Sequence, residues 1–463
     1  MSKYLYGASI QGIQGFIFET NKLQEIVGAS EIIKGIEKRF KETIDKYSTK
    51  LIMSAAGNMK AVFDSKDELQ EFLLFFKKDT LSRAYGITFS EAIVKIEHDE
   101  PDSYERTLLE ERLKVQRNRV EIPLDMSLNI TKLAPSTAKS AVKTIKDEVI
   151  DMASCQKRKA NENFYKDKPQ NKKFKNISDF SNTKNKVAVV HIDGNGLGVL
   201  VKNLKTPISE FSTDLDDATK EAFRVSRDDS MDIREVILGG DDVTVICNAN
   251  NALEFTRKFL ENFEKQTKDK LDSKLTACAG VVICNEKYPF HYAVDLAEEL
   301  CSIAKKDAKK INQDLAPSCL MFHNVQSSNF DNWDLYIVNE LTLKNDKEEI
   351  RLDFGPYYLN EANKPKIQDL IYLSEIYRFE DSPIARLRNW LSELDKNSYL
   401  AKELLKRINS VSSKDVLASA TKVLQRFDSA LSSENLLIQK DGCLKTPIYD
   451  VLQIISNTTK VTK

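Results

Sequence analysis

An α+β fold is what this sequence predicts: two ferredoxin-like palm units, each an antiparallel sheet backed by helices, followed by a C-terminal helical bundle. Three observations predict it. The chain has 463 residues, and single hydrophobic cores stop growing beyond roughly 250–300 residues. The order strand, helix, hairpin, helix, strand occurs twice along the chain. From Lys366 onward, apolar residues recur at helical spacing.

The first unit is expected over residues 1–135. "YLYGASIQ" reads as a short strand. "ETNKLQEIVGASEIIKGIEKRFKETIDKY" sets Leu23, Ile26, Val27, Ile32, Ile33 and Ile36 on one helical face. "LIMSAAGNMKAVF" reads as strand, tight turn, strand, with Gly57-Asn58 as the turn signal. "SKDELQEFLLFFKKD" is a helix opened by Ser65 with Glu68 three residues on, and "GITFSEAIVKI" supplies a further strand. Residues 136–186 are expected to form a basic inter-palm linker. Their later part, "CQKRKANENFYKDKPQNKKFKNISDFSNTKNK", is rich in lysine and asparagine and poor in aliphatics, the composition of an exposed loop. Its charge reads first as a solvated face, although it would also suit phosphates.

Residues 187–330 are expected to hold the second unit, in the same order. "KVAVVHIDGNGLG" is a strand entering a Gly-rich turn, and "EVILGGDDVTVIC" is a hairpin. "NALEFTRKFLENFEKQTKD" is a helix, "KLTACAGVVIC" a strand, "FHYAVDLAEELCSIAKKDAKK" a helix and "SCLMFHNV" a strand. Residues 331–463 are expected to be mainly helical. They open with the hairpin-like "LYIVNELTLKNDKEEIRLDFGPYYL" and continue through "IQDLIYLSEIYRF", "IARLRNWLSELDK", "SYLAKELLKRI" and "KDVLASATKVLQRFDSAL".

The bulk composition narrows the function classes. Lys and Arg number 69 against 70 for Asp and Glu, so no global basic excess marks a nucleic-acid channel. No apolar run reaches the roughly 18–20 residues that span a bilayer, and the N-terminus lacks a signal-peptide core, so no membrane partner is expected. The seven cysteines include no C-x-x-C pair, and Cys247, Cys278 and Cys284 lie in strand-like runs. Buried reduced thiols and a cytoplasmic location are therefore expected, rather than a disulfide framework or zinc knuckle. The four histidines are scattered, and His191, in an apolar strand, reads as a packed residue.

The residues that carry chemistry lie in the second unit. Asp193 ends an apolar strand in "HIDGNGLG", and Asp241 and Asp242 sit at the hairpin tip "LGGDD". Taken alone, each stretch reads equally as a turn. In a palm-type sheet, however, the first strand lies beside this hairpin, which would bring Asp193 within reach of the two hairpin acids. Converging carboxylates repel when empty and are stabilised by a cation. Mg²⁺ or Mn²⁺ takes such oxygen ligands together with substrate phosphates, and two ions would serve an attacking hydroxyl and a leaving pyrophosphate. Gly239 and Gly240 would let the backbone turn sharply beside a triphosphate, with Gly194 and Gly196 doing the same after Asp193. Asn195 is either a turn residue or a base contact. The matching tip of the first unit, Ala55-Ala56-Gly57-Asn58, carries no carboxylate.

This combination resembles the palm-domain large subunit of type III CRISPR effector complexes, the CRISPR polymerase family, which is related to GGDEF diguanylate cyclases and class III adenylate cyclases. "SIQGIQGFIFETNKLQEIVGASEII" is similar to the opening of that family's first palm, and "LIMSAAGNMKAVF" stands where it carries a degenerate catalytic hairpin. "HIDGNGLG" and "LGGDD" match the second palm's catalytic motifs. "LTACAGVVIC", "YPFHYAVDLAEELCSIAKK" and "SCLMFHNVQSS" match its closing elements. The resemblance implies two palms with a helical C-terminal domain. It also implies conversion of ATP to cyclic oligoadenylate with release of pyrophosphate, in antiviral signalling. It implies two metal ions on Asp193, Asp241 and Asp242, a nucleotide-binding turn at Gly239 and Gly240, and a triphosphate contact from Lys305.

The family's members often begin with an HD nuclease domain and carry a cysteine-rich zinc site between the palms. Here the palm motif starts within ten residues of Met1 and the intervening stretch holds only Cys155, so a minimal or stand-alone form is expected. Its expected partners are nucleoside triphosphates, RNA or CRISPR-type effector subunits, and further copies of itself. The competing reading is a catalytically silent scaffold that binds RNA or partner subunits. Three carboxylates favour the enzyme, since a scaffold needs none of them.

Overall fold

The structure, a computed structural model, describes residues 2–55, 57–98, 100–119, 130–167, 174, 176–202, 208–326, 332–344, 349–379 and 382–459. The chain forms two compact units, Met1–Asp179 with Val201–Asp217, and Phe180–Leu200 with Ala218–Lys463.

In the first unit β1 (Lys3–Gln11) is followed by α1 (Ile13–Ile17), α2 (Leu23–Ile44), β2 (Thr49–Ala55), β3 (Asn58–Phe63), α3 (Lys66–Arg83), β4 (Thr88–Ile96) and α4 (Ser103–Arg117). The sheet order is β2-β3-β1-β4 with every pairing antiparallel, the ferredoxin-like ladder. Alternation along β1 sends its side chains to two cores. Leu5 joins Val62, Val94 and Ile96 against Leu109 and Leu113 of α4. Tyr6, on the opposite face, packs among Phe40, Phe63 and Phe72. Ser65 caps α3 by accepting from the Asp67 amide.

The stretch expected to be a linker is folded. It holds the hairpin of β5 (Ala141–Ile145) and β6 (Glu148–Asp151), then α5 (Met152–Asp167), which packs along α2. The basic residues that suggested solvent instead have fixed anionic partners. Lys157, whose side chain is 1% exposed, holds Glu19 at 2.7 Å and donates to the Phe16 carbonyl at 2.7 Å. Arg158 donates from Nε to Glu25 at 2.7 Å. A buried cation persists only when paired and hydrogen-bonded, and here both are. The rest of the basic run, residues 168–173 and 175, lies outside the described residues.

The second unit repeats the ladder. In chain order come β7 (Lys186–Asn195), α6 (Leu197–Lys202), α7 (Ile208–Ser226), β8 (Ile233–Gly239), β9 (Asp242–Asn248), α8 (Ala252–Leu271), β10 (Thr276–Asn285), α9 (Phe290–Ile311) and β11 (Cys319–Asn324), with the end of α6 and the start of α7, up to Asp217, counted in the first unit. The order β8-β9-β7-β10 matches β2-β3-β1-β4 strand for strand. Beyond it, β11 pairs parallel to β10, as a helical crossover such as α9 requires.

The remaining chain holds α10 (Trp333–Glu340), β12 (Thr342–Lys344), β13 (Glu349–Arg351), β14 (Tyr357–Tyr358), α11 (Ile367–Ile376), α12 (Ile384–Leu394), α13 (Ser398–Val411), α14 (Lys414–Phe427), β15 (Ile438–Lys440), β16 (Cys443–Lys445) and α15 (Ile448–Asn457). Two features depart from the sequence reading. "LYIVNE" is helical, because the Asn332 side chain accepts from the Leu335 amide and Trp333 and Ile337 bury one face. The helices also share the segment with a small sheet, β12-β13-β16-β15, whose strands are too short to show a period. Among the described residues, no helix is long and apolar enough to cross a membrane. The fold class is as expected: α+β, two palms and a mainly helical C-terminal region.

Candidate active site

The site is built on the central strand of the second sheet. β7 is buried from Val187 to Ile192, as a strand flanked by β9 and β10 should be. Asp193 follows that run and stands opposite Asp242 of β9 in the antiparallel register. Gly239 in turn stands opposite Asp242 across the β8–β9 hairpin, so a two-residue turn, Gly240-Asp241, closes it. Gly240 has φ 60. A glycine with positive φ at the first central position is what tight hairpin turns demand. Thr219 of α7 holds the tip by donating to the Gly240 carbonyl at 2.5 Å.

Gly194 lets the tip lie down on β7. Its amide donates to the Asp241 carbonyl at 3.2 Å, and a Cβ there would come within 2.7 Å of the Asp241 Cβ. Asp193, Asp241 and Asp242 therefore converge, as the sequence predicts. Lys305, on α9, joins them: its Nζ lies 2.7 Å from Asp193 Oδ2 and 2.6 Å from the Gly194 carbonyl. An isolated lysine near a helix end reads as solvated, but this one is 21% exposed and committed to Asp193.

Electrostatics set the site apart. Burial pushes the Asp241 carboxyl up to about 6, helped by the charge of Asp193 and opposed by Lys305. Burial pushes Asp242 up to about 7, with Asp241, Asp193 and Glu298 adding repulsion. Asp242 Oδ1 is buried with no hydrogen bond, although the side chain as a whole is 41% exposed. His191 Nδ1 lies 3.6 Å from that oxygen and 3.1 Å from the Thr244 hydroxyl. Burial lowers His191 to about 4, so it stands neutral and adds no charge to the compensation from Lys305. Among the described residues, no three acid, thiol or imidazole side chains are closed into a ready-made metal cage. A magnesium site does not need one, since phosphates complete its shell.

Two expectations change. Asn195, read from the sequence as either a turn residue or a base contact, is fully buried. Its amide nitrogen faces Thr276 Oγ1 at 3.3 Å, Cys278 Sγ at 3.3 Å and the Ala316 carbonyl at 3.2 Å. Those contacts hold the side chain in the core. Glu298 was missed. It precedes Lys305 on α9 by two helical turns, so helical periodicity would have placed both on one face. The first unit's tip differs in kind. The Gly57 amide donates to Glu37 at 2.6 Å, and Ala56 lies outside the described residues.

Residues 186–313 match the family model of the Cas10/Cmr2 second palm domain. No curated protein matches the chain. Solved structures share the fold across nearly its whole length. A Csm1–Csm4 cassette in complex with AMPPNP superposes with a TM-score of 0.56 at 14% identity, covering 98% of this chain and 70% of that one. The cassette in complex with cA4 gives 0.55 at 14% identity, covering 98% and 69%. The Csm1–Csm4 subcomplex of the type III-A CRISPR-Csm interference complex gives 0.52 at 13% identity, covering 98% and 69%. With the strand order and the converging acids in place, residues 186–313 are similar to the Cas10/Cmr2 second palm domain, and the chain shares the fold of the Csm1 structures.

Proposed function

We propose that this chain is a nucleotidyltransferase that joins ATP, or another nucleoside triphosphate, into cyclic oligonucleotide messengers with release of pyrophosphate. The observation that carries the reading is the under-compensated acidic tip. Asp241 and Asp242 are pushed up to about 6 and 7 by burial and mutual repulsion, and a buried Asp242 oxygen has no hydrogen bond. Oxygen donors in that state fit a divalent cation. Mg²⁺ or Mn²⁺ would be held by Asp193, Asp241 and Asp242, where it would supply charge neutralisation for the attacking hydroxyl and departing pyrophosphate. That structures of this fold hold one ATP, AMPPNP or cA4 supports the choice of substrate.

The protein's own groups would position the reactants. Lys305 would meet the triphosphate as Asp193 turns to the cation, exchanging one anionic partner for another. Gly239 and Gly240 present backbone without side chains, so phosphates approach closely. Thr219 keeps the tip fixed. The 2′ or 3′ hydroxyl oxygen of one nucleotide attacks the α-phosphorus of another. The bond to the β-phosphate oxygen breaks and pyrophosphate leaves. In this reading residues 1–135 are a degenerate first palm, 187–330 the catalytic palm and 331–463 the helical domain.

The test is incubation of the purified chain with each nucleoside triphosphate and Mg²⁺ or Mn²⁺, with mass spectrometry of the products. Cyclic oligonucleotide and pyrophosphate should form, and the Asp241→Ala, Asp242→Ala double variant should form neither while still melting cooperatively at no lower a temperature than the metal-free wild type. Product at the wild-type rate from that variant would overturn the site. The second reading, a scaffold in a CRISPR-type effector, is favoured by the Csm4 partner in the structures of similar fold. Its signature is the absence of product from the lone chain under every condition.

A further inference from the structure

Two thiols lie directly beneath the acidic site and have no part in the proposed reaction. β10 and β11 run parallel with Cys278 and Cys319 in register, and their sulfurs stand 3.7 Å apart, both buried. Each sulfur also touches the frame of the Lys305–Asp193 pair. Cys278 is the register partner of Asp193 on β7 and receives the Asn195 amide at 3.3 Å. The Cys319 thiol donates to the carbonyl of Ala304, the residue before Lys305, at 3.4 Å. The third thiol of the layer, Cys301, is committed to the Cys278 carbonyl at 3.1 Å.

We propose that Cys278 and Cys319 are a redox-modification site, a dithiol that closes to a reversible disulfide and in closing displaces the Lys305–Asp193 ion pair. The Asn195 amide points at the Cys278 sulfur, a donor that favours its thiolate, which makes Cys278 the attacking sulfur. The oxidant class is a hydroperoxide, which would reach the buried sulfurs through local opening of the layer. The Cys278 sulfur attacks a peroxide oxygen, the O–O bond breaks and one water leaves, giving the sulfenic acid. The Cys319 sulfur then attacks the Cys278 sulfur, the S–O bond breaks and the second water leaves. Two thiols and one hydrogen peroxide become one disulfide and two waters. The sulfurs must close from 3.7 Å to about 2.05 Å. Close-packed interiors transmit such a shift: Cys278 leaves Asn195 and Cys319 leaves the Ala304 carbonyl, one contact on each side of the ion pair.

The experiment treats the reduced full chain with hydrogen peroxide, alkylates it under denaturing conditions and maps its peptides. A Cys278–Cys319 cross-linked pair, two hydrogens lighter and reopened by dithiothreitol, is expected. In Cys319→Ser, dimedone should trap Cys278 as its sulfenic acid. Hydrogen exchange reads the displacement. Amides around Asp193 and Lys305 should exchange roughly tenfold faster in the oxidised wild type, and unchanged in peroxide-treated Cys319→Ser. Recovery of both cysteines as alkylated thiols would overturn the site, and a cross-link with unchanged exchange would overturn the coupling. The peptide map uses the wild-type chain alone, so a variant that fails to fold leaves it decisive. Neither readout uses nucleotide or metal, so neither depends on the proposed reaction.

Discussion

Replacing Asp242 with asparagine should make the metal-free protein more stable and its metal-bound form less so. The carboxyl moves from 3.8 in the open chain to about 7 in the fold, chiefly through burial. At 1.36 kcal/mol per unit the unscreened cost of its charge at pH 8 is about 4 kcal/mol. The side chain is 41% exposed, so solvent screening reduces that to about 1–2 kcal/mol. A carboxyl whose folded value lies above its unfolded value binds its proton more tightly in the fold. Its charge therefore costs nothing below about pH 4, costs more as pH rises, and reaches its full cost above about pH 7. Asp242→Asn should then gain roughly 1–4 °C in melting temperature at pH 8, with a smaller gain at pH 5. Manganese at a hundred times its dissociation constant should add about 2.7 kcal/mol to the wild type and little to the variant. Differential scanning calorimetry at both pH values, with and without Mn²⁺, reads all of this. A variant that melts lower than wild type at pH 8 without metal, or gains as much from Mn²⁺, would refute the reasoning.

Two further substitutions separate the site from the scaffold. Lys305→Met removes a partly exposed ion pair, so stability should change by less than about 1 kcal/mol. AMPPNP binding, followed by titration calorimetry, should weaken about tenfold or more, as expected for a lost hydrogen bond to a charged group; unchanged affinity would exclude Lys305 from the nucleotide. Asp450 is buried and pushed up to about 7 by that burial while accepting from the Tyr357 hydroxyl at 2.7 Å. By the same sign rule, Asp450→Asn should flatten the fall in stability between about pH 4 and pH 7 and gain up to about 4 kcal/mol at pH 8, and chemical denaturation across that range checks it.

Much of the fold was legible because its signals are local. The apolar run from Val187 to Ile192 and the Gly-Gly-Asp-Asp turn declare a strand and a hairpin within a dozen residues. The repeated order then supplies the register that brings Asp193 to Asp242. What stayed hidden depends on distant partners. The lysines of α5 look solvated until Glu19 and Glu25, far earlier in the chain, are seen to hold Lys157 and Arg158. Asn195, a turn type after Asp-Gly, is claimed by Thr276 and Ala316, which no nearby residue foretells. Glu298 was hidden by its helix, whose apolar face dominates the pattern.

The two hairpin tips argue for the chemistry more directly than either motif does. They join the corresponding pair of strands in sheets of the same order, in two chemical settings. At the first tip one carboxylate, Glu37, reaches over from α2 and accepts the Gly57 amide, an acid with a donor, which stabilises the turn. At the second tip two adjacent acids face a third across the sheet. One lysine offsets them, a buried oxygen has no donor, and repulsion adds to burial in raising both carboxyls of the turn. A turn alone needs none of this, as the first tip demonstrates. The charge at the second tip is a standing cost to the fold, and under the proposed function a bound cation with its phosphates would turn that cost into binding energy.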